Sequence, residues 1–193
     1  AYSYCYHPLA EDIETIQEMI GDQGISLLVV DSLGPACGGD PNEAELAIRM
    51  FNALRQLRVS SLLIDHVAKN PIPGQSATPY GSVYKTNLAR SVWNIKATER
   101  TEAYHSRVAL YHRKVNFGPL RDALGFDLTF QNDTAEQLTM MKFESCTVSH
   151  DSELMSGLPV KQQIRELLKA ENRKMTTAEI CEVLSKTKKD LSP

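Results

Sequence analysis

The sequence predicts an α/β fold: a parallel sheet with antiparallel edge strands, followed by a small C-terminal helical segment. Residues 25–31 form a continuous apolar run rich in β-branched residues, which is typical of a buried parallel strand. A helical pattern over 43–58 and a second apolar strand over 61–66 follow, and strand, helix, strand is by default a right-handed βαβ unit. Four short strand candidates then predict antiparallel hairpins: 91–97, 107–112, 123–130 and 137–143.

The remaining elements are predicted from spacing and composition. Ile13, Ile16 and Ile20 recur at helical spacing, so a helix precedes the first strand. Glycine and proline predict loops over 34–42 and 67–81, and a short helix follows over 82–90. The polar stretch 145–157 is typical of a linker, and it separates residues 1–144 from two final helices at about 160–170 and 176–186.

Composition limits the class of protein. The chain has 193 residues, of which 42% are hydrophobic and 23% charged, as in ordinary globular proteins. No apolar stretch approaches the roughly 20 residues that span a bilayer, so we expect no membrane partner. The four cysteines contain no CxxC pair, which favours free thiols in a reducing cytoplasm over a zinc site.

Charge divides the chain unevenly. Residues 158–193 carry a net charge of +3 and the remainder carries −6. A basic tail on an acidic body indicates either a second module with an anionic partner or a solvated helix face.

Two polar side chains follow the predicted parallel strands. Asp31 ends the first strand and His66 ends the second. Ligands of open α/β sheets bind at the carboxyl ends of strands, where an acid can hold Mg²⁺ beside a nucleotide phosphate. A histidine at the same edge can contact the γ-phosphate or a water. Separately, each residue is also consistent with an ordinary strand end.

Cations cluster in two later segments. Lys85 and Arg90 follow the long loop in the helix that Ser82 can cap, and they suit a nucleic-acid backbone or an ordinary helix surface. Arg113 and Lys114 are adjacent at a strand end, so their side chains point to opposite faces. One of them could reach a neighbouring subunit's phosphate as an arginine finger does, or both could simply end a basic strand.

These segments occur in an order that resembles RecA-like P-loop ATPases. The resemblance is to the RepA-type branch, which includes plasmid hexameric helicases and prophage AAA ATPases, and it covers roughly residues 10–131. It is carried by four segments: 25–33, 64–69, 81–93 and 113–119.

The resemblance implies roles for the matching positions. Asp31 would be the Walker B acid that serves Mg²⁺ through water, and Asp31, Ser32 and His66 would contact ATP, with His66 as the γ-phosphate sensor. Loops 34–42 and 68–82 would face the channel of a homo-hexameric ring and bind single-stranded DNA. The residues that would bind DNA are Lys69, Ser82, Lys85 and Arg90. Lys114 or Arg113 would act in trans on the neighbour's ATP.

The sequence departs from this family in one respect. The family needs a glycine-rich loop, GxxxxGK[ST], before the Walker B strand, and these 193 residues contain no Gly-Lys pair. We expect a chain that lacks its N-terminal, P-loop portion, and the alternative is a degenerate relative. Either way, the sequence predicts poor ATP binding and hydrolysis by this chain itself.

The tail resembles the first two helices of a winged helix-turn-helix. Thr176 or Thr177 can cap the second helix, and Glu179 lies at capping-box spacing from Thr176. A recognition helix would start near residues 191–193. The alternative is a helical hairpin that packs on the core.

Three functions follow from these interpretations. The first is an ATP-driven motor or loader on single-stranded DNA in plasmid or phage replication. The second is a DNA-binding regulator that uses residues 158–193, with the RecA-like part as an oligomerisation scaffold. The third is another α/β enzyme in which Asp31 and His66 form an acid–base pair.

Overall fold

The computed structural model describes residues 2–40, 42–67, 83–98, 104–133 and 137–184. These residues form two units that divide between Arg90 and Ser91. Loop 68–82, with Lys69 and Ser82, lies outside the described residues, as does the expected start of a recognition helix at 191–193. The described part is mixed α/β, which confirms the predicted class.

The first unit contains a parallel strand pair joined through helices. Its elements are α1 (Ile13–Gln23), β1 (Leu27–Asp31), α2 (Leu33–Cys37), α3 (Ala44–Leu57), β2 (Ser60–Ile64) and α4 (Tyr84–Leu88). β1 and β2 are hydrogen-bonded in parallel, with α3 in the crossover between them. The predicted strand–helix–strand unit is therefore confirmed, with strand bounds that differ by one or two residues.

The core of the first unit lies on one side of the parallel pair. Helix α3 buries an apolar stripe at helical spacing, which includes Met50, Leu54 and Leu57, and the strands pack Leu28, Val30 and Leu63 against it. The opposite face is more open, because Leu27, Val29 and Leu62 are each more than half exposed. The apolar run predicted buried strands, but in the described residues the strand side chains on the α3 face are partly buried and those on the other face are exposed.

Helix α2 occupies the beginning of the predicted loop 34–42. Ser32 is extended at its N-cap position, and Leu33 and Cys37, one helical turn apart, are both buried in the core. Burial of these two side chains outweighs the glycine and proline content from which a loop was predicted. Tertiary contact with the core therefore determined the helical conformation here, against the loop propensity of the local composition.

The second unit is built on an antiparallel sheet. The strands β3 (Ser91–Ala97), β4 (His105–Val115), β5 (Leu124–Asn132) and β6 (Leu138–Cys146) pair in sequence order. All four predicted strands are present, and β4 to β6 are longer than predicted. Their hydrogen bonds join them into a sheet of their own, distinct from the β1–β2 pair.

Helical segments follow the antiparallel sheet. A 3₁₀ turn at Val148–His150 and α5 (Ser152–Met155) precede α6 (Val160–Glu171) and α7 (Thr177–Val183). Val148 and Leu154 are buried with Tyr111 of β4 in the core of this unit. Residues 145–157 were expected to be a linker, but they supply core residues because Val148 and Leu154 are apolar side chains within a polar stretch.

Candidate functional site

Asp31 and His66 follow the two parallel strands at the same end. The register pairs Asp31 with Ile64, the last residue of β2, so Asp65 and His66 continue directly past that point. The parallel direction puts both strand ends on one edge, which is where open α/β sheets bind ligands. Asp31 is thus the last residue of β1, and His66 lies two residues beyond the end of β2 at the same edge of the pair.

The residues around Asp31 leave its carboxylate accessible. Asp31 is exposed and Ser32 is partly buried, and the peptide bond between them is cis. Leu33 and Cys37 anchor the following helix in the core. Burial raises the pKa of the Cys37 thiol, and so does the nearby Asp65 carboxylate, while the Lys85 ammonium opposes that rise.

Asp65 connects the end of β2 to α4. Its Oδ2 accepts a hydrogen bond from Lys85 Nζ at 3.1 Å, and its Oδ1 accepts one from the backbone N–H of His66 at 3.0 Å. Sequence reasoning placed Asp65 in a motif but gave it no role. The one available signal was an acid directly before the histidine at a strand end.

The residues predicted to bind DNA are placed differently from one another. Lys85 is buried, with its side chain 1% exposed and its ammonium against Asp65, which does not favour contact with a nucleic-acid backbone. Arg90 is exposed at the end of the first unit. Lys69 and Ser82 lie outside the described residues, so their expected contacts stay predictions.

Arg113 and Lys114 lie near the end of β4 in the second unit. Arg113 donates to the carbonyl oxygen of Gly157 at 2.9 Å and stacks over the Tyr111 ring at 4.8 Å. The Arg113 Nε is buried without a hydrogen-bond partner in the described part of the chain. Burial lowers the pKa of the Arg113 guanidinium. A β-bulge interrupts the expected alternation here, because Val92 pairs with Lys114 and Trp93 with His112, which leaves Arg113 as the extra residue. The register therefore places Lys114 on the same face of the sheet as Tyr111, and alternation does not separate it from Arg113.

An aromatic stack that the sequence did not indicate lies on the face of the sheet opposite to Tyr111. The rings of Trp93 and His112 are stacked with centroids 4.3 Å apart and an angle of 6° between their planes. The backbone N–H of Arg121 donates to His112 Nδ1 at 2.9 Å, and Ser91 Oγ is 3.1 Å from Nε2. Since Nδ1 is an acceptor, the neutral imidazole here carries its proton on Nε2 and donates to Ser91. These contacts brace β3 against β4.

The described residues contain no group of three or more His, Cys, Asp or Glu side chains that could hold a metal ion between them. None of their helices has the length and apolar character needed to cross a bilayer.

Neither a protein family nor a curated protein sequence matches this chain.

Proposed function

We propose that this chain is the post-P-loop part of a RecA-like ATPase of the RepA type, which acts as a motor or loader on single-stranded DNA in plasmid or phage replication. The observation that carries this proposal is the parallel register of β1 and β2, with Asp31 and His66 following the same ends of adjacent strands. In such a site Asp31 is the Walker B acid, and His66 responds to the γ-phosphate and passes that state to DNA-binding loops.

The donor set at this edge fits a magnesium ion held mainly by ATP. Mg²⁺ in nucleotide sites keeps several waters and takes one or two carboxylates together with phosphate oxygens. A single exposed carboxylate such as Asp31 meets that need through water, and Ser32 follows it directly. When bound, the ion neutralises charge that develops on the phosphoryl group during transfer. The ATP phosphates would also require a P-loop, which these 193 residues do not contain.

Lys114 or Arg113 is the cation that would act in trans on the neighbouring subunit's ATP. Arg113 would have to leave the Gly157 carbonyl and the Tyr111 ring before it could reach a neighbouring subunit. Lys114 also has an interaction of its own. A homo-hexameric ring, with Lys114 or Arg113 of each subunit near the neighbour's ATP, is the assembly that we propose.

The natural gene product that contains these residues tests the proposal. We expect Asp31→Asn to reduce single-stranded-DNA-stimulated ATP turnover about 10- to 100-fold, the usual effect of removing an outer-shell partner of a metal. Asp22→Asn, an exposed acid in α1, is the matched control and should leave turnover unchanged. Equal turnover in both variants, or the absence of a P-loop from the natural gene product, would count against the proposal.

A DNA-binding regulator is the second candidate. It is favoured by the two tail helices, the capping box of α7 and the net charge of +3 over residues 158–193. In that case, deletion of residues 158–193 abolishes duplex binding and ATP has no effect on it. A motor instead keeps its single-stranded-DNA-stimulated turnover after the same deletion.

A further inference from the structure

The ion pair between Asp65 and Lys85 differs from the surface pairs of this chain. The Lys85 side chain is 1% exposed and that of Asp65 is 14% exposed, and Lys85 Nζ lies 3.1 Å from Asp65 Oδ2. By contrast, the Arg49–Glu11 pair of the same unit is about half exposed at 3.4 Å. Exposed pairs contribute little to stability, whereas removing one partner of a buried pair leaves an uncompensated charge out of water.

Packing sets the position of the Lys85 ammonium. Lys85 lies on α4, and the neighbouring Leu88 and Ala89 pack against the core cluster that α3 dominates. The ammonium is thereby held against the residue that follows β2, 20 positions earlier in the sequence. An ammonium in this position stabilises the end of β2 and is not available to bind a ligand in solvent.

The Asp65 carboxylate transmits this restraint to His66. One of its oxygens is held by Lys85, and the other accepts the His66 N–H at 3.0 Å. Because a carboxylate is planar, fixing one oxygen restricts the other as well. The His66 backbone is therefore tied to α4 through two successive hydrogen bonds.

We propose that Lys85 is a positioning residue which, through Asp65, holds His66 just past the carboxyl end of β2, at the same edge of the strand pair as Asp31. The significance of His66 as a phosphate sensor rests on the proposed function, while the restraint itself does not. Lys85 is thus assigned to the nucleotide edge in place of the DNA contact expected from its charge.

Backbone dynamics of His66 test this assignment in the full 193-residue chain. Lys85→Met removes the ammonium and keeps an apolar stem of similar length. We expect the NMR order parameter of the His66 amide to fall from about 0.85, typical of rigid backbone, to below about 0.6. Arg49→Met, which breaks the exposed ion pair of the same unit, is the control and should leave the His66 value unchanged.

A double variant separates positioning from folding. Lys85→Met leaves the Asp65 charge without its partner and can destabilise the unit, whereas Asp65→Asn with Lys85→Met leaves neither charge behind. We expect the double variant to fold while the His66 amide stays mobile. A rigid His66 amide in both variants, or a mobile one in the wild-type chain, would overturn the proposal.

The same experiment distinguishes this inference from the proposed function. It needs no nucleotide, so it reports on the Lys85–Asp65–His66 restraint even if the natural gene product does not hydrolyse ATP. Conversely, unaltered His66 dynamics in the variants would refute the role of Lys85 and leave the Asp31 turnover test as it stands.

Discussion

Glu179 of α7 carries the largest resolved carboxylate pKa shift in the described chain. Its Oε2 accepts from the Thr176 backbone N–H at 2.6 Å and from the Thr176 hydroxyl at 2.8 Å, and Arg173 contacts its other oxygen at 2.8 Å. These contacts, led by the Thr176 N–H, lower the pKa of Glu179 from 4.5 to about 2. The charged form is favoured in the folded chain, so this contribution is present above pH 4.5 and is lost as the pH falls towards 2.

We expect Thr176→Ala to raise the pKa of Glu179 while leaving it below 4.5, because the Thr176 backbone N–H and Arg173 remain. The variant should also lose the N-cap hydroxyl, at a cost of about 1 kcal/mol of helix stability. An NMR titration of the Glu179 carboxyl and of the α7 amides measures both effects. Thr177→Ala, one residue further into the helix, is the control; an identical titration curve in the two variants would contradict the capping role.

Tyr111 connects β4 to α5 across the core of the second unit. Its hydroxyl donates to the carbonyl oxygen of Leu154, and the ring is 2% exposed. Desolvation, the main cause, raises the pKa of Tyr111 from 10 to about 12. Because the neutral phenol is favoured in the folded chain, its contribution is fully present below about pH 10 and is lost as the pH rises through about 12.

Tyr111→Phe should destabilise the second unit by about 1 kcal/mol, the usual net value of a hydrogen bond. The cost stays modest because the Leu154 carbonyl also accepts from the Gly157 N–H at 2.9 Å. The variant should also flatten the stability of this unit between pH 10 and 12. Denaturant unfolding at several pH values measures this, with Tyr104→Phe, a half-exposed tyrosine, as the control. A control that lost as much stability would rule out the α5 contact as the cause.

At the scale of the whole molecule, the described chain has two separate hydrophobic cores. The first is centred on α3, where Met50 is 1% exposed, and the second joins β4 to α5, where Leu154 is fully buried. No residue belongs to both clusters. Each unit therefore depends on its own apolar contacts for stability.

We expect Met50→Ala and Leu154→Ala each to cost about 2–5 kcal/mol and to act on different units. Hydrogen exchange should show loss of protection in α3 and the β1–β2 pair for Met50→Ala, and in β3–β6 for Leu154→Ala. Each variant is the other's control. Equal loss of protection in both units from either substitution would show a single cooperative core instead.

Local patterns predicted the elements well because each pattern is a property of neighbouring residues. Apolar periodicity marked α1, α3 and the strands, and the capping box at Thr176 and Glu179 is present as expected. Linker 145–157 and loop 34–42 were less predictable, since a few apolar side chains within polar or glycine-rich stretches found places in the cores.

By itself, the sequence determined that two apolar strands flank a helix and that Asp31 and His66 follow them, because chain direction alone brings parallel strand ends to one edge. Only the tertiary structure decided what the cations do. Lys85 meets Asp65 across 20 positions, and Arg113 meets Gly157 across 44. Such contacts depend on how other segments of the chain pack on the strands. A charged residue type in a sequence does not indicate whether packing will bury its side chain.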